Sequence, residues 1–303
     1  MRAATCFVTV ALLLAGGVAH AADAPLPAGT DAQKPATSGS TDVAKGDSFA
    51  TAAAPPADDK NIVNDVAINA GGLFASGNAR SVAVTAGSKM RIRRDDQQFS
   101  AALAGNYARA GKPGEGVAPT AQNVQGLLRY DYYFAEGWSV FLQTSGRHDP
   151  FQGLSFRWNV DPGVAHYFID EKTHRLWAEL GYDFQYDART NEAQIGQKFG
   201  SNDPPDPAKV EDPTKATHST RAFMGYENKL NATVAFATSL EYLQSLQDTD
   251  AARLNFDIGI KAQVVGHLSV ATTYSMRFDN KPLKSVQYNS DSVAAVNLVY
   301  TLF

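Results

Sequence analysis

From residue 61 to the C-terminus, apolar and polar side chains alternate one by one. In LNFDIGIKAQV, Leu254, Phe256, Ile258, Ile260, Ala262 and Val264 share one parity, and Asn255, Asp257, Gly259, Lys261 and Gln263 share the other. LSVATTYSMRFD divides likewise, with Leu268, Val270, Tyr274 and Phe278 against Ser269, Thr273, Ser275 and Arg277. In GLLRYDYYF, Leu128, Tyr130, Tyr132 and Phe134 oppose Leu127, Arg129, Asp131 and Tyr133. In ELGYDFQYD, Leu180, Tyr182, Phe184 and Tyr186 oppose Glu179, Gly181, Asp183 and Gln185. A period of two with one apolar face predicts β-strands. Twelve are marked: 64–76, 80–93, 98–109, 122–134, 138–147, 155–168, 175–187, 219–228, 232–244, 252–264, 268–279 and 291–303. The eighth is the least regular, because Arg221 and Phe223 share a parity.

Alternation does not say which medium meets which face. A soluble sandwich turns its apolar face inward, whereas a membrane barrel turns it to lipid and keeps polar groups inside. Three features point to the barrel. The clean runs are about 9–12 residues, the length of a tilted membrane strand, where soluble strands average about 5–6. Connections alternate between tight ones (RRDD, AEG, DEKTH, NKLN, VVGH) and variable ones that extend to the stretch from Ala188 to His218. The apolar faces also finish in Tyr, Phe or Trp, as interfacial girdles do. The expected fold is all-β, a single-chain antiparallel transmembrane β-barrel of twelve strands with tight turns and both termini on the periplasmic side. Phe303 then closes the barrel, since an unpaired last strand would leave backbone groups unsatisfied in lipid. Phe303 shares parity with Thr301, opposite to Tyr300 and Leu298, so a bulge near Thr301 is expected to reconcile them.

The N-terminal segment has a different character. Arg2, the apolar run from Phe7 to Ala19 and the sequence Ala19-His20-Ala21 predict a signal peptide over residues 1–21, too short to span a membrane as a helix. Cys6, the only cysteine, lies within it, so the exported chain carries no thiol. Residues 22–60 are rich in Ala, Pro, Ser, Thr and Gly and read as a disordered leader, with a plug or a peptidoglycan-binding arm as the functional alternative. Arg2 is one of 27 basic residues; the 26 that remain face 31 acidic ones, a balance of −5 that gives no footprint for nucleic acid.

LFASGNARS (Leu73 to Ser81), DPFQGL, DPGV and HRLWAELGYDFQYD resemble segments of a bacterial family of uncharacterised barrels labelled salt-induced outer-membrane proteins. The resemblance extends over residues 61–303. It implies a barrel in the outer membrane, with that membrane's lipid and its barrel assembly machinery as partners, and carries over no functional residue.

The predicted lumen parity holds both signs: Lys89, Arg91, Arg129, Arg147, Arg157, Lys261 and Arg277 beside Asp131, Asp161, Glu179, Asp183 and Asp257. Two arrangements fit this mixture. The charges pair with one another across a filled interior, giving a structural or envelope-stress protein. Or they line the constriction of a passive, porin-like channel for a small solute or ion. An enzyme fits less well: Ser145 and His148 differ in parity and no G-x-S-x-G elbow occurs. His166 reads as an interfacial residue. Asp203, Asp206, Glu211 and Asp212 belong to a solvated, mobile loop whose prolines break calcium-loop spacing. No cofactor motif is present, and the sequence fixes no oligomeric state.

Overall fold

The computed structural model describes residues 62–75, 80–111, 116–171, 173–197, 199–200, 204–282, 284 and 289–302. The expected signal peptide, leader, SGN turn, Asp203 and Phe303 lie outside them. Twelve strands close into one antiparallel barrel: β1 (Ile62–Ala75), β2 (Arg80–Arg94), β3 (Gln97–Gly111), β4 (Ala118–Ala135), β5 (Trp138–Asp149) and β6 (Leu154–Asp170). The ring continues with β7 (His174–Arg189), β8 (Thr214–Lys229), β9 (Val234–Ser245), β10 (Ala252–Val265), β11 (Leu268–Asp279) and β12 (Ser290–Thr301). Each strand pairs with its sequence neighbours, and β12 returns to β1. The tightest turns sit at one end, where Asp95, Gly137 and Gly266 adopt positive φ of 52°, 71° and 52°. The short side chain of Asp and the absent Cβ of Gly make that left-handed backbone accessible.

The strand alternation becomes two surfaces. Along β4, Asn123, Gln125, Leu127, Arg129, Asp131 and Tyr133 are buried, while Val124, Leu128, Tyr130, Tyr132 and Phe134 are exposed on the outside. The same inversion runs round the barrel, with Leu142, Leu180, Met224, Leu240, Ile260 and Leu298 all on the outer face. An exposed apolar belt of this extent belongs in hydrocarbon, where a closed barrel satisfies every strand by pairing. At the tight-turn end Trp138, His166 and Phe168 form a girdle, the His166 ring lying 4.2 Å from Trp138 and 4.7 Å from Phe168. Leu128→Arg should cost assembly about 2–4 kcal/mol, because it sets a charge on the lipid face near mid-strand. A heat-modifiability gel should show a large unfolded fraction for this variant, and wild-type folding would mean the outer face had been misassigned.

The boundaries depart from expectation in two places. β7 runs on to Arg189 and β8 begins at Thr214, so the long connection occupies residues 190–213 rather than 188–218. Lys215 and Thr217 pair with Asp187 and Gln185 there, beyond the stretch where one face must be apolar. In β8 both Arg221 and Phe223 point inward. Among the described residues the β1–β12 register runs from Thr301 to Leu298 without a shift, with Val299 buried and Tyr300 exposed; Phe303 lies outside them.

Candidate functional site

Inward parity brings charged and aromatic side chains from β4 to β10 into one interior. Arg129 on β4 donates to Asp131 at 2.7 Å and reaches across to Glu179 on β7 at 2.9 Å. The second oxygen of Glu179 accepts from Arg221 on β8 at 2.6 Å, and Arg221 continues to Glu241 on β9, also at 2.6 Å. Asn255 on β10 donates to the other Glu241 oxygen at 2.6 Å. Every side chain of that Arg–Glu–Arg–Glu sequence is at most 5% exposed. Burial at this level is tolerable only when ionised groups are paired and their remaining hydrogen bonds are met. Trp177 Nε1 meets this condition for Glu179, donating at 3.2 Å.

Rings fill the space between these charges. The Arg129 guanidinium stands 4.1 Å from the Phe141 ring centroid and Arg221 stands 5.7 Å from the same ring, so Phe141 lies beside two cations. Phe141, Phe223, Trp177, Tyr167 and Tyr133 form one buried cluster with Ala165. Its edge toward the tight turns is polar: the Tyr133 and Tyr167 hydroxyls are 3.2 Å apart, and Arg93 lies 3.7 Å over the Tyr133 ring. Glycines make room for the rings. A Cβ on Gly163 would sit 2.5 Å from Phe141 Cζ, and one on Gly225 would enter the Trp177 ring.

A second level of pairs lies toward the variable loops. Arg157 donates to Asp187 at 2.6 Å, Arg189 to Asp187 at 3.2 Å and Arg147 to Asp149 at 2.7 Å. Arg253 on β10 crosses to Asp183 on β7 at 3.3 Å, and Asn159 donates to the same carboxylate at 2.7 Å. Asp161 accepts from Gln143 at 3.0 Å, and Asp257 pairs with Arg277 at 2.7 Å. Lys261 is buried on β10, inward like Asp257. Of the residues singled out from sequence, Arg129, Asp131 and Glu179 meet directly, and so do Asp257 and Arg277. Arg147, Arg157 and Asp183 meet partners outside that set. Arg221, Glu241, Arg253 and the inward rings were not anticipated, although Glu241 alternates visibly with Leu240 and Tyr242.

β1 to β3 present a different wall. Their inward positions include Ala83, Thr85, Gly87, Ala102, Ala104 and Asn106, all only half-buried. Asn106 accepts from the Thr85 hydroxyl and donates to Asn123 at 3.2 Å. The interior thus carries large paired side chains on one side and smaller ones at many positions on the other.

The described residues of the connection after β7 are mostly exposed to solvent and carry local caps. Thr190 caps the short helix α1 (Asn191–Gln194), and Asp206 caps a 3-10 turn at Pro207–Lys209. The Ala208 N–H, with help from Lys209, holds the Asp206 carboxyl below the usual carboxylate range. Glu211 accepts from the Lys284 backbone N–H at 2.9 Å, joining this connection to the one between β11 and β12. Lys281 and Asp248 pair at 2.7 Å in solvent, which lowers the Asp248 carboxyl and raises the Lys281 amine. In the RHDP turn, Asp149 accepts from Gln152 N–H and from Arg147, while Ser145 is buried inside and His148 is exposed outside. Serine and histidine therefore stand on opposite faces of β5.

An apolar belt outside, a polar interior and closure of the first strand on the last define a transmembrane β-barrel. Residues 68–302 match the family described as "Protein of unknown function, DUF481", and the chain belongs to that family. None of the curated proteins matches it. Among solved structures it is similar to the NanC porin, at 11% identity over 78% of this chain and 100% of that one, with a TM-score of 0.46. It is also similar to the translocator domain of autotransporter NalP from Neisseria meningitidis, at 11% identity over 78% and 86% of the two chains, with a TM-score of 0.42. For an outer membrane channel from Pseudomonas putida F1 the values are 10%, 82% and 97%, with a TM-score of 0.40.

Proposed function

We propose that this protein is an outer-membrane barrel with a structural role in the envelope, its lumen braced by paired charges rather than held open for diffusion. The observation that carries this reading is the Arg129–Glu179–Arg221–Glu241 sequence, which runs from β4 to β9 through the interior with Phe141 beside both guanidiniums. A wide pore keeps its charges in bulk-like water, where a pair contributes about 0–1 kcal/mol and gains little from aromatic packing. Export through a signal peptide ending at Ala21, insertion by the barrel assembly machinery and the salt-induced or stress-linked role implied by DPFQGL and HRLWAELGYDFQYD belong to the same proposal.

One observation favours a second reading. The half-buried small residues of β2 and β3 leave room for a narrow path, so a channel for small ions along that wall is the alternative. Conductance of the purified protein in a planar bilayer separates the two. The braced barrel should give only rare, small openings. Steady ohmic conductance, reduced by Ala104→Trp on that wall, would establish the channel instead.

A further inference from the structure

The ring closes over only part of its height. β1 pairs with β2 along its whole length, from Ile62–Arg94 to Ala75–Ser81, and β12 pairs with β11 from Tyr300–Leu268 to Ser290–Phe278. Between β1 and β12 the register runs only from Ala67–Thr301 to Ala70–Leu298, extended by the Leu302 N–H donating to Val66 O at 2.8 Å. Among the described residues, Gly72 to Ala75 and Val293 to Val296 have no register partner across this seam, although both segments are strand. The unpaired half lies toward the variable loops, away from the tight turns.

Backbone donors and acceptors facing hydrocarbon without partners are costly, so these two edges need water or a ligand. Behind them, on the lumen side, are the half-buried Ala83, Thr85 and Gly87 of β2 and the half-buried Asn297 of β12. In front, on the lipid side, Val296 is 64% and Leu298 55% exposed, with Val82 and Val84 nearby on the same outer face. The gap is therefore bounded by a wettable inner rim and an apolar outer rim. At its lower end Asn297 and the Val296 carbonyl crowd Gly71, where any Cβ would collide with the amide of Asn297, so glycine there lets the strands meet before they part.

We infer that the upper β1–β12 seam is a lateral portal for an amphipath carrying an acyl chain, its head group in the lumen and its chain in the bilayer. The portal lies outside the charge-braced side of the barrel and does not depend on whether the lumen conducts. A strand of a second copy could pair with one bare edge, but pairing alone makes no use of the polar Thr85 and Asn297 inside against the exposed Val296 and Leu298 outside. An acyl amphipath accounts for the two unlike rims.

The chain has no cysteine beyond Cys6, so paired cysteines report the seam cleanly. A disulfide needs Cβ atoms about 4 Å apart. Ala70→Cys with Leu298→Cys should oxidise readily, whereas Phe74→Cys with Ala294→Cys, which would face each other if the register continued, should oxidise many times more slowly. Equal rates would mean a paired seam and overturn the proposal, and disulfide-linked dimers would assign the edges to a second copy. The ligand is tested with a brominated fatty acid in proteoliposomes. Ala83→Trp, in a Trp138→Phe, Trp158→Phe background and measured against that background with Trp177 alone, should be quenched from the lumen side. Bridging Phe74→Cys and Ala294→Cys with a short bis-maleimide should reduce that quenching severalfold while leaving acrylamide quenching unchanged. Ala102→Trp on the adjacent strand repeats the measurement where Ala83→Trp impairs assembly. Quenching that bridging does not alter, or no quenching at either position, would overturn the portal.

Discussion

Glu179→Ala should destabilise the folded barrel by about 3–5 kcal/mol, the cost of leaving buried charges without their partner. Glu179 accepts from both Arg129 and Arg221, and its loss removes the carboxylate shared by the two guanidiniums beside Phe141. Unfolding in detergent, followed by gel mobility against temperature or urea, should show a midpoint far below wild type. Glu179→Gln should recover part of the loss, because it keeps the volume and one acceptor. A near-normal midpoint for Glu179→Ala would mean that water already screens the arginines and that the interior is an open pore. Asp183→Asn probes the outer level in the same way, since Asp183 is fully buried and accepts from Arg253 and Asn159.

Gly163→Val should be nearly as damaging, for a steric reason. Even a methyl group at this position would lie 2.5 Å from Phe141 Cζ and 2.7 Å from the carbonyl oxygen of Leu180. The ring could turn aside at the expense of its place beside Arg129. The carbonyl belongs to β7, where Gly181 is the register partner of Gly163, and it cannot retreat without parting the strands. Overpacking a core ordinarily costs about 1–3 kcal/mol, and valine here should reach the upper end or exceed it. Gly126→Ala is the control: its Cβ would meet nothing nearer than Leu103 at 3.8 Å, so its midpoint should stay within about 0.5 kcal/mol of wild type. If both glycine variants behaved alike, the close approach of β6 and β7 would not be a feature of the folded protein.

How much of this was legible depended on what imposes the pattern. Hydrocarbon imposes one rule on every strand, so Leu128, Tyr130 and Tyr132 or Phe256, Ile258 and Ile260 announce the outer face without any neighbour being known. The strand number followed, because each run is separated by recognisable turn residues. The interior obeys no such local rule. Arg129 meets Glu179 fifty positions away, and Arg253 meets Asp183 seventy positions away, pairings set by strand tilt and by the crossing of the lumen. Aromatic residues added a second difficulty. Tyr and Trp were read as lipid-face markers, yet Tyr167 and Trp177 join Tyr133 on the inward parity with their polar atoms hydrogen-bonded, which is how an aromatic ring becomes compatible with a charged interior. Strand extension above the belt was hidden for a simpler reason: near Lys215 and Thr217 neither face needs to be apolar, and the alternation that marks a strand disappears.

The cross-lumen pairs described above join strands of the arc from β4 to β10, while β1 to β3 carry small side chains at many of the corresponding inward positions. Mechanically the wall is made of two materials. One arc is spoked, so bending it inward must break ion pairs and displace rings. The other carries smaller side chains, with Thr85, Asn106 and Asn123 joined across β2 to β4 and Arg93 over Tyr133, and its ladder is shorter where β1 meets β12. Lateral pressure or a change in bilayer thickness will be absorbed by the compliant arc, which flattens or widens while the spoked arc keeps its curvature. Such a wall has a built-in direction of strain.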